Sequence, residues 1–207
     1  MSGDRPMSHR IVVRDSVTVR DLRNLADARG WRLAGHVPRD PANGVHFEIR
    51  WDAGGDTSVH YVEDELMAER YVVVAGEDAG ARARLVAAIG AGVAVWPLED
   101  LVLEATVRVY PAGRARAVRR LGVASPPDPD GAVIAVVEWA ARDDDPRVRE
   151  AAVRAMAYAG WSEYRRTLLE LAEHDPDPEI ARTARRVAAG LTRPADPPPG
   201  PPPPRTR

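Results

Sequence analysis

Asp143-Asp144-Asp145-Pro146-Arg147-Val148-Arg149-Glu150-Ala151-Ala152 and Asp175-Pro176-Asp177-Pro178-Glu179-Ile180-Ala181-Arg182-Thr183-Ala184 are one phrase written twice, with Pro146 falling on Pro178 at an offset of 32 residues. The likeness extends upstream, where Val136-Val137-Glu138-Trp139-Ala140-Ala141 falls against Leu168-Leu169-Glu170-Leu171-Ala172-Glu173. Self-similarity at a fixed period of roughly 20–50 residues marks stacked supersecondary units. The unit is a pair of helices. Val148, Ala152, Ala155 and Ala159 step by four, three and four, so they share one face of a 3.6-residue helix. Ile180, Ala184, Val187 and Leu191 repeat that face, and Tyr164, Leu168, Leu169, Leu171 and Ala172 mark the helix between. Pro146 and Pro178 each follow an Asp that can cap free N–H groups, the arrangement of a helix start. Gly160 and Gly190 stand where these helices should stop. A weaker copy, Ala117-Val118-Arg119-Arg120-Leu121 against Ala152-Val153-Arg154-Ala155-Met156, lies 35 residues upstream.

The segments RDDDPRVREAAVRAMAYAG (142–160) and HDPDPEIARTARRVAAG (174–190) resemble short bacterial HEAT repeats of the subtype found in phycobilisome-lyase-like proteins. The Asp-Pro opener, the Val or Ile two residues after the Pro, and the run of small residues carry the resemblance, which spans about residues 113–192. It implies an α-solenoid serving as a protein–protein interaction scaffold or adaptor, since such repeats bind through broad surfaces rather than through one fixed chemistry. Two and a half repeats fall below the usual minimum of about three, so they are expected to lean on the N-terminal half.

That half reads differently. Ile11-Val12-Val13 is a short strand, and Thr18 with Asp21 three residues on forms a capping box for a helix burying Val19, Leu22, Leu25 and Ala26 up to Gly30. Trp31 to Ala34 reads as a strand and Pro38 to Gly44 as a loop. Val45, Phe47, Ile49 and Trp51 alternate with polar residues, the period of a half-buried strand. Ser58–Val62 and Arg70–Ala75 complete an antiparallel meander. Asp78 caps a helix to Ile89, Val93–Trp96 is strand-like, and Pro97–Val107 is a helix joining the halves. The expected architecture is an α+β domain over 1–106, HEAT-like helical repeats over 107–193, and a disordered, extended proline-rich tail over 194–207.

Composition excludes several chemistries. There is no cysteine, hence no disulfide, thiol nucleophile or thiolate metal site. No run approaches the roughly 18 apolar residues of a membrane span, and a cytoplasmic location is expected. All 29 basic residues are Arg, and the Ala-, Gly- and Pro-rich composition matches a GC-rich coding bias, so an Arg cluster by itself announces no partner. Residues 107–193 carry 15 Arg against 13 acids with no aromatic interleaving, which argues against nucleic acid. Residues 1–106 carry 12 Arg and 17 acids, so the two halves should attract one another.

For catalysis the residue types are present without the spacing. Gly76-Glu77-Asp78-Ala79-Gly80 has two of the three glycines of a dinucleotide fingerprint, and its acids would repel phosphate. His46, Glu48, His60 and Glu63 could gather on one sheet face, but no fixed metal spacing supports a zinc site. Ser58, His60 and Glu63 lack a nucleophile elbow. Glu63, Asp64, Glu65 and Glu69 read as a solvated acidic turn. No metal or cofactor is therefore expected. The leading reading is a non-enzymatic module for another protein, contacted through Arg149, Arg154, Tyr158, Trp161, Arg182 and Arg186, which fall off the apolar stripes. An enzyme or lyase centred on His46, Glu48 and His60 is one alternative, and nucleic-acid binding by the repeat arginines is the other.

Overall fold

The structure, a computed structural model, describes residues 6–40, 42, 44 and 46–191. Val45 and the proline-rich tail lie outside the described residues. Among these, the N-terminal half contains β1 (Ile11–Val12), α1 (Val19–Ala28), β2 (Arg32–Val37), β3 (Phe47–Gly54), β4 (Thr57–Asp64), β5 (Glu69–Ala75) and α2 (Ala79–Gly92). The helices α3 (Leu98–Val107), α4 (Pro111–Val123), α5 (Gly131–Ala140), α6 (Pro146–Ala159), α7 (Arg165–His174) and α8 (Pro178–Gly190) follow.

The strands form one antiparallel sheet in the order β1-β5-β4-β3-β2. The meander follows from alternation. Ile49, Trp51, Val59, Tyr61, Val72 and Val74 point to one side, where Leu22, Leu25 and Ala26 of α1 and Ile89 of α2 cover them. Thr18 and Asp21 make the capping box that starts α1, and Asp78 accepts from the N–H groups of Gly80 and Ala81 at the start of α2. Residues Val93–Trp96 differ from expectation. They form an isolated bridge, Val13–Val95, and not a strand, because the chain turns at once into α3.

The repeats are three helix pairs, α3–α4, α5–α6 and α7–α8, sharing one core that includes Leu101, Val118, Val137, Val148, Leu168 and Ile180. Helix α3, expected as a junction, contributes Leu101 and Ala105 to that core. Val148, Ala152, Ala155, Ile180 and Ala184 are buried as their spacing predicts, whereas Leu169 turns outward. Asp145 and Asp177 cap α6 and α8 with Pro at the first turn. Gly160 closes α6 in the left-handed conformation (φ 69°) that side chains other than Gly rarely adopt. The 35-residue copy in the sequence corresponds to α4 and α6 lying side by side. At Gly122 they approach so closely that an added Cβ would sit 2.4 Å from the Ala155 Cα. Each helix pair is tied to the next by an arginine: Arg114 binds Asp143, and Arg149 binds Asp175.

The second face of the sheet supplies the support that so short an array lacks. Val12, Met67, Tyr71 and Val73 pack against Val123 of α4 and the partly buried Trp96 and Tyr158. The α4–α6 side of the repeats is therefore covered by the chain's own sheet, while Leu103 and Val107 of α3 and Trp139 of α5 remain exposed.

Candidate functional site

Of the six expected contact residues, burial reassigns two. Arg149 is 8% exposed. Its Nε and Nη2 hold Asp175 at 2.9 and 3.0 Å, and its Nη1 donates to the Asp143 and Asp144 carbonyls. Trp161 is buried too, with Nε1 donating to the Pro126 carbonyl and its ring stacked on Tyr164. The expectation that these two face outward is corrected: a guanidinium or indole reaching across an inter-repeat turn satisfies buried carbonyls there. Arg154 and Tyr158 face the N-terminal domain. Arg154 pairs with Glu150 and donates to the Leu66 carbonyl, while the Tyr158 hydroxyl donates to Asp64. Arg182 and Arg186 are exposed on α8, near Glu179 and Thr183.

The supposed acidic turn is solvated only in part: Glu65 is exposed and Glu63 half-buried. Asp64 and Glu69 are buried, at 2% and 4% exposure. Glu69 receives Arg120 Nε at 2.9 Å, and the same guanidinium binds Asp15 at 2.9 Å and Glu104 at 3.2 Å. It also lies 4.8 Å from the Trp96 ring centroid, whose ring Arg14 approaches at 3.7 Å. Burial alone would lower the Arg120 pKa, but the bond and charge of Glu69, with Asp15 and Glu104, raise it. The opposite charges of the two halves thus meet in one cluster.

Beside this cluster the sheet and the repeats do not close completely. A cavity of about 560 Å³ remains between them. Its sheet side includes Val37, Glu48, His60, Val62 and Val73; its repeat side includes Ser125, Pro126, Pro127 and Tyr158. The side chains meet because Glu48 and His60 project from the same face of β3 and β4, one diagonal step apart in the register Arg50↔His60 and Glu48↔Val62.

Glu48 accepts from His60 Nδ1 at 2.5 Å and from Arg50 Nε and Nη2, both at 2.8 Å. Burial pushes its carboxyl up, but the bonds and charges of His60 and Arg50 outweigh this and hold it at about 2. Glu48 is therefore an acceptor only, so Nδ1 carries the His60 proton. In neutral His60 the Nε2 then accepts from the Ser58 hydroxyl at 2.7 Å. The order Ser58–His60–Glu48 is that of a proton-relay triad, with Glu48 in the place the sequence suggested for Glu63. Glu63 points to the opposite face and accepts from the Tyr61 hydroxyl. Ser58 is not among the described residues lining the cavity. His46 Nε2 lies 3.7 Å from Asp64 rather than beside His60. Among the described residues no group of three His, Asp or Glu side chains is placed to hold a metal ion.

The Glu48 carboxyl gives an acid-dependent signature. Its ordinary value of 4.5 is depressed to about 2, so its contribution is present above pH 4.5 and is lost as the pH falls towards 2. Glu48→Gln should melt below the wild type at neutral pH by about 1–2 kcal/mol, allowing for solvent around Arg50. The two melting curves should converge near the bottom of that window. A constant difference across the window would show that the carboxylate charge is not what stabilises the site.

A second surface stands apart from the first. Leu103, Val107, Val109 and Tyr110, at the α3–α4 turn, are 60%, 57%, 77% and 82% exposed. Arg114 connects them to the exposed Trp139, donating to the Arg108 carbonyl while lying 4.9 Å over the indole.

Residues 98–189 match the family model described as HEAT repeats, a span of less than half the chain. The matched span begins where α3 begins, and the C-terminal half of the protein is accordingly a HEAT-like helical-repeat array. HEAT repeats generally act as protein-interaction scaffolds. No curated protein and no solved structure matches the chain. No described helix is long and apolar enough to cross a membrane.

Proposed function

We propose that the protein is a non-enzymatic adaptor that engages another protein through the α3–α5 side of its repeats. The observation that supports this reading is the exposure of Val107, Val109, Tyr110 and Trp139 on and beside α3 and α5, away from the helices that the sheet covers. Tyr and Trp supply large contact areas at small entropic cost, and Arg114 stacked on Trp139 adds a cation beside them. The occupant is an apolar segment of a partner protein. Arg182 and Arg186, exposed on α8, form a second contact in this reading.

Val109→Glu combined with Tyr110→Glu should remove partners recovered by pull-down from native extract, with melting changed by no more than about 0.5 kcal/mol. Retention of the same partners by this variant would move the docking surface away from the α3–α4 turn. Arg182→Glu with Arg186→Glu should weaken the same capture and leave melting unchanged.

The hydrogen-bonded order Ser58–His60–Glu48 favours a second reading, a hydrolytic activity on the N-terminal sheet. Turnover of a small aryl ester, lost in Ser58→Ala and in His60→Ala with the fold intact, would support it over the adaptor reading.

A further inference from the structure

The cavity between the sheet and the repeats is lined by one arginine that no carboxylate of the described residues pairs with directly. Three of the other four arginines and histidines lining it are engaged: Arg50 by both oxygens of Glu48, His60 by Glu48 and Ser58, and His46 by proximity to Asp64; burial lowers the pKa of the fourth, His9. Arg10 is different. It is the one arginine among the described lining residues without a carboxylate partner. Its guanidinium lies between two phenol rings, 5.9 Å from the Tyr71 centroid and 5.2 Å from that of Tyr158. It donates from Nη1 to the Tyr158 carbonyl at 3.4 Å and also interacts with the Tyr71 hydroxyl, neither of them a charged acceptor. A guanidinium has five N–H donors, and leaving them unpaired in a partly buried site is unfavourable. Neither ring brings a carboxylate, and the planar fork of a guanidinium is suited to binding one through two parallel bonds.

The remaining lining sets the rest of the ligand. Val37, Val62, Val73 and Met7 make it mostly apolar. Asp64 and Glu48, both nearby, would repel a group carrying two negative charges. A volume of about 560 Å³ falls within the roughly 300–1,000 Å³ of small-molecule sites. We infer that this cavity binds a small monocarboxylate with an apolar aryl or alkyl body, its carboxylate on Arg10 and its body against Val62 and Val73. Such a ligand touches the sheet and the repeats together and would strengthen their contact.

The probe pair is 4-phenylbutyrate and its neutral amide, 4-phenylbutyramide, titrated into the full chain by calorimetry. The acid should bind at least about tenfold more tightly than the amide. Arg10→Gln should bring the acid down to the amide's affinity and leave the amide unchanged. Equal affinities for acid and amide, unchanged acid binding by Arg10→Gln, or no binding of the acid at millimolar concentration would each overturn the inference. Because Arg10 also contacts Tyr158, Val62→Trp is the second variant: it fills the cavity and leaves Arg10 in place. It should melt like the wild type and lose the acid; retention of binding would place the ligand elsewhere and overturn the assignment.

Discussion

Arg120→Met should destabilise the protein by about 3–5 kcal/mol, a large part of the 5–15 kcal/mol that holds a domain folded. The loss does not come from Asp15 or Glu104. The Asp15 side chain is half exposed and can return to water, and Glu104 keeps Arg108 at 2.6 Å. It comes from Glu69, whose side chain is 2% exposed and would retain only the longer contact from Arg116 at 3.4 Å. A buried carboxylate deprived of its cation costs far more than the intact pair contributes. Adding Glu69→Leu to Arg120→Met should therefore recover at least half of the lost stability. Urea melts of the two single variants and the double would close the cycle. A single-variant loss below about 1 kcal/mol would show that the cluster is not what joins the halves.

Gly122→Val should cost about 3 kcal/mol, the upper end of what overpacking does. The obstacle is backbone. A Cβ at Gly122 would lie 2.4 Å from the Ala155 Cα and 2.5 Å from its Cβ, so α4 and α6 would have to separate along their whole contact. Gly131→Ala is the control, because a Cβ there meets nothing within 4 Å. It should be neutral or slightly stabilising, since Ala orders less entropy on folding than Gly. Equal melting of the two variants would mean that α4 and α6 can slide apart freely.

Those two positions also show what could be read from the chain before its coordinates. The repeat was legible because Pro146 and Pro178, with their capping Asp residues, set the phase of α6 and α8 without ambiguity. The sheet was legible because Ile49, Trp51, Val59 and Tyr61 alternate, and one face had to be buried. Its partner on the second face was not. Val12, Val73 and Met67 have no periodicity that distinguishes a face in water from one against α4.

The arginines failed for a related reason. Arg149 and Arg182 both lie off an apolar stripe, one position apart in the repeat, yet the first is buried on Asp175 and the second is exposed. Only the stacking of one pair on the next decides between them. Substituting Arg149, Arg154, Arg182 and Arg186 together by Glu would therefore mix a folding defect with any binding defect. The triad order was half visible, because Ser58 and His60 share a strand, but Glu48 enters through cross-strand register. Val109-Tyr110 before Pro111 was the one overlooked signal: two large apolar residues at a helix start with no stripe to join.

The sheet grips α4 and α6 through Val123, Arg120 and Tyr158, whereas the last pair is held only by its neighbours within the array, α8 resting on α6 and α7. The repeat array thus has a moored end and a loose end. Amide hydrogens should exchange with solvent slowest in β5, α4 and α6 and fastest in α8, because an end secured on one side opens by fraying while a middle secured on both opens only with the whole molecule. The loose end is also where Arg182 and Arg186 lie, so a partner seated there would meet a surface that can still adjust its angle. One seated on Tyr110 and Trp139 would meet a surface already set.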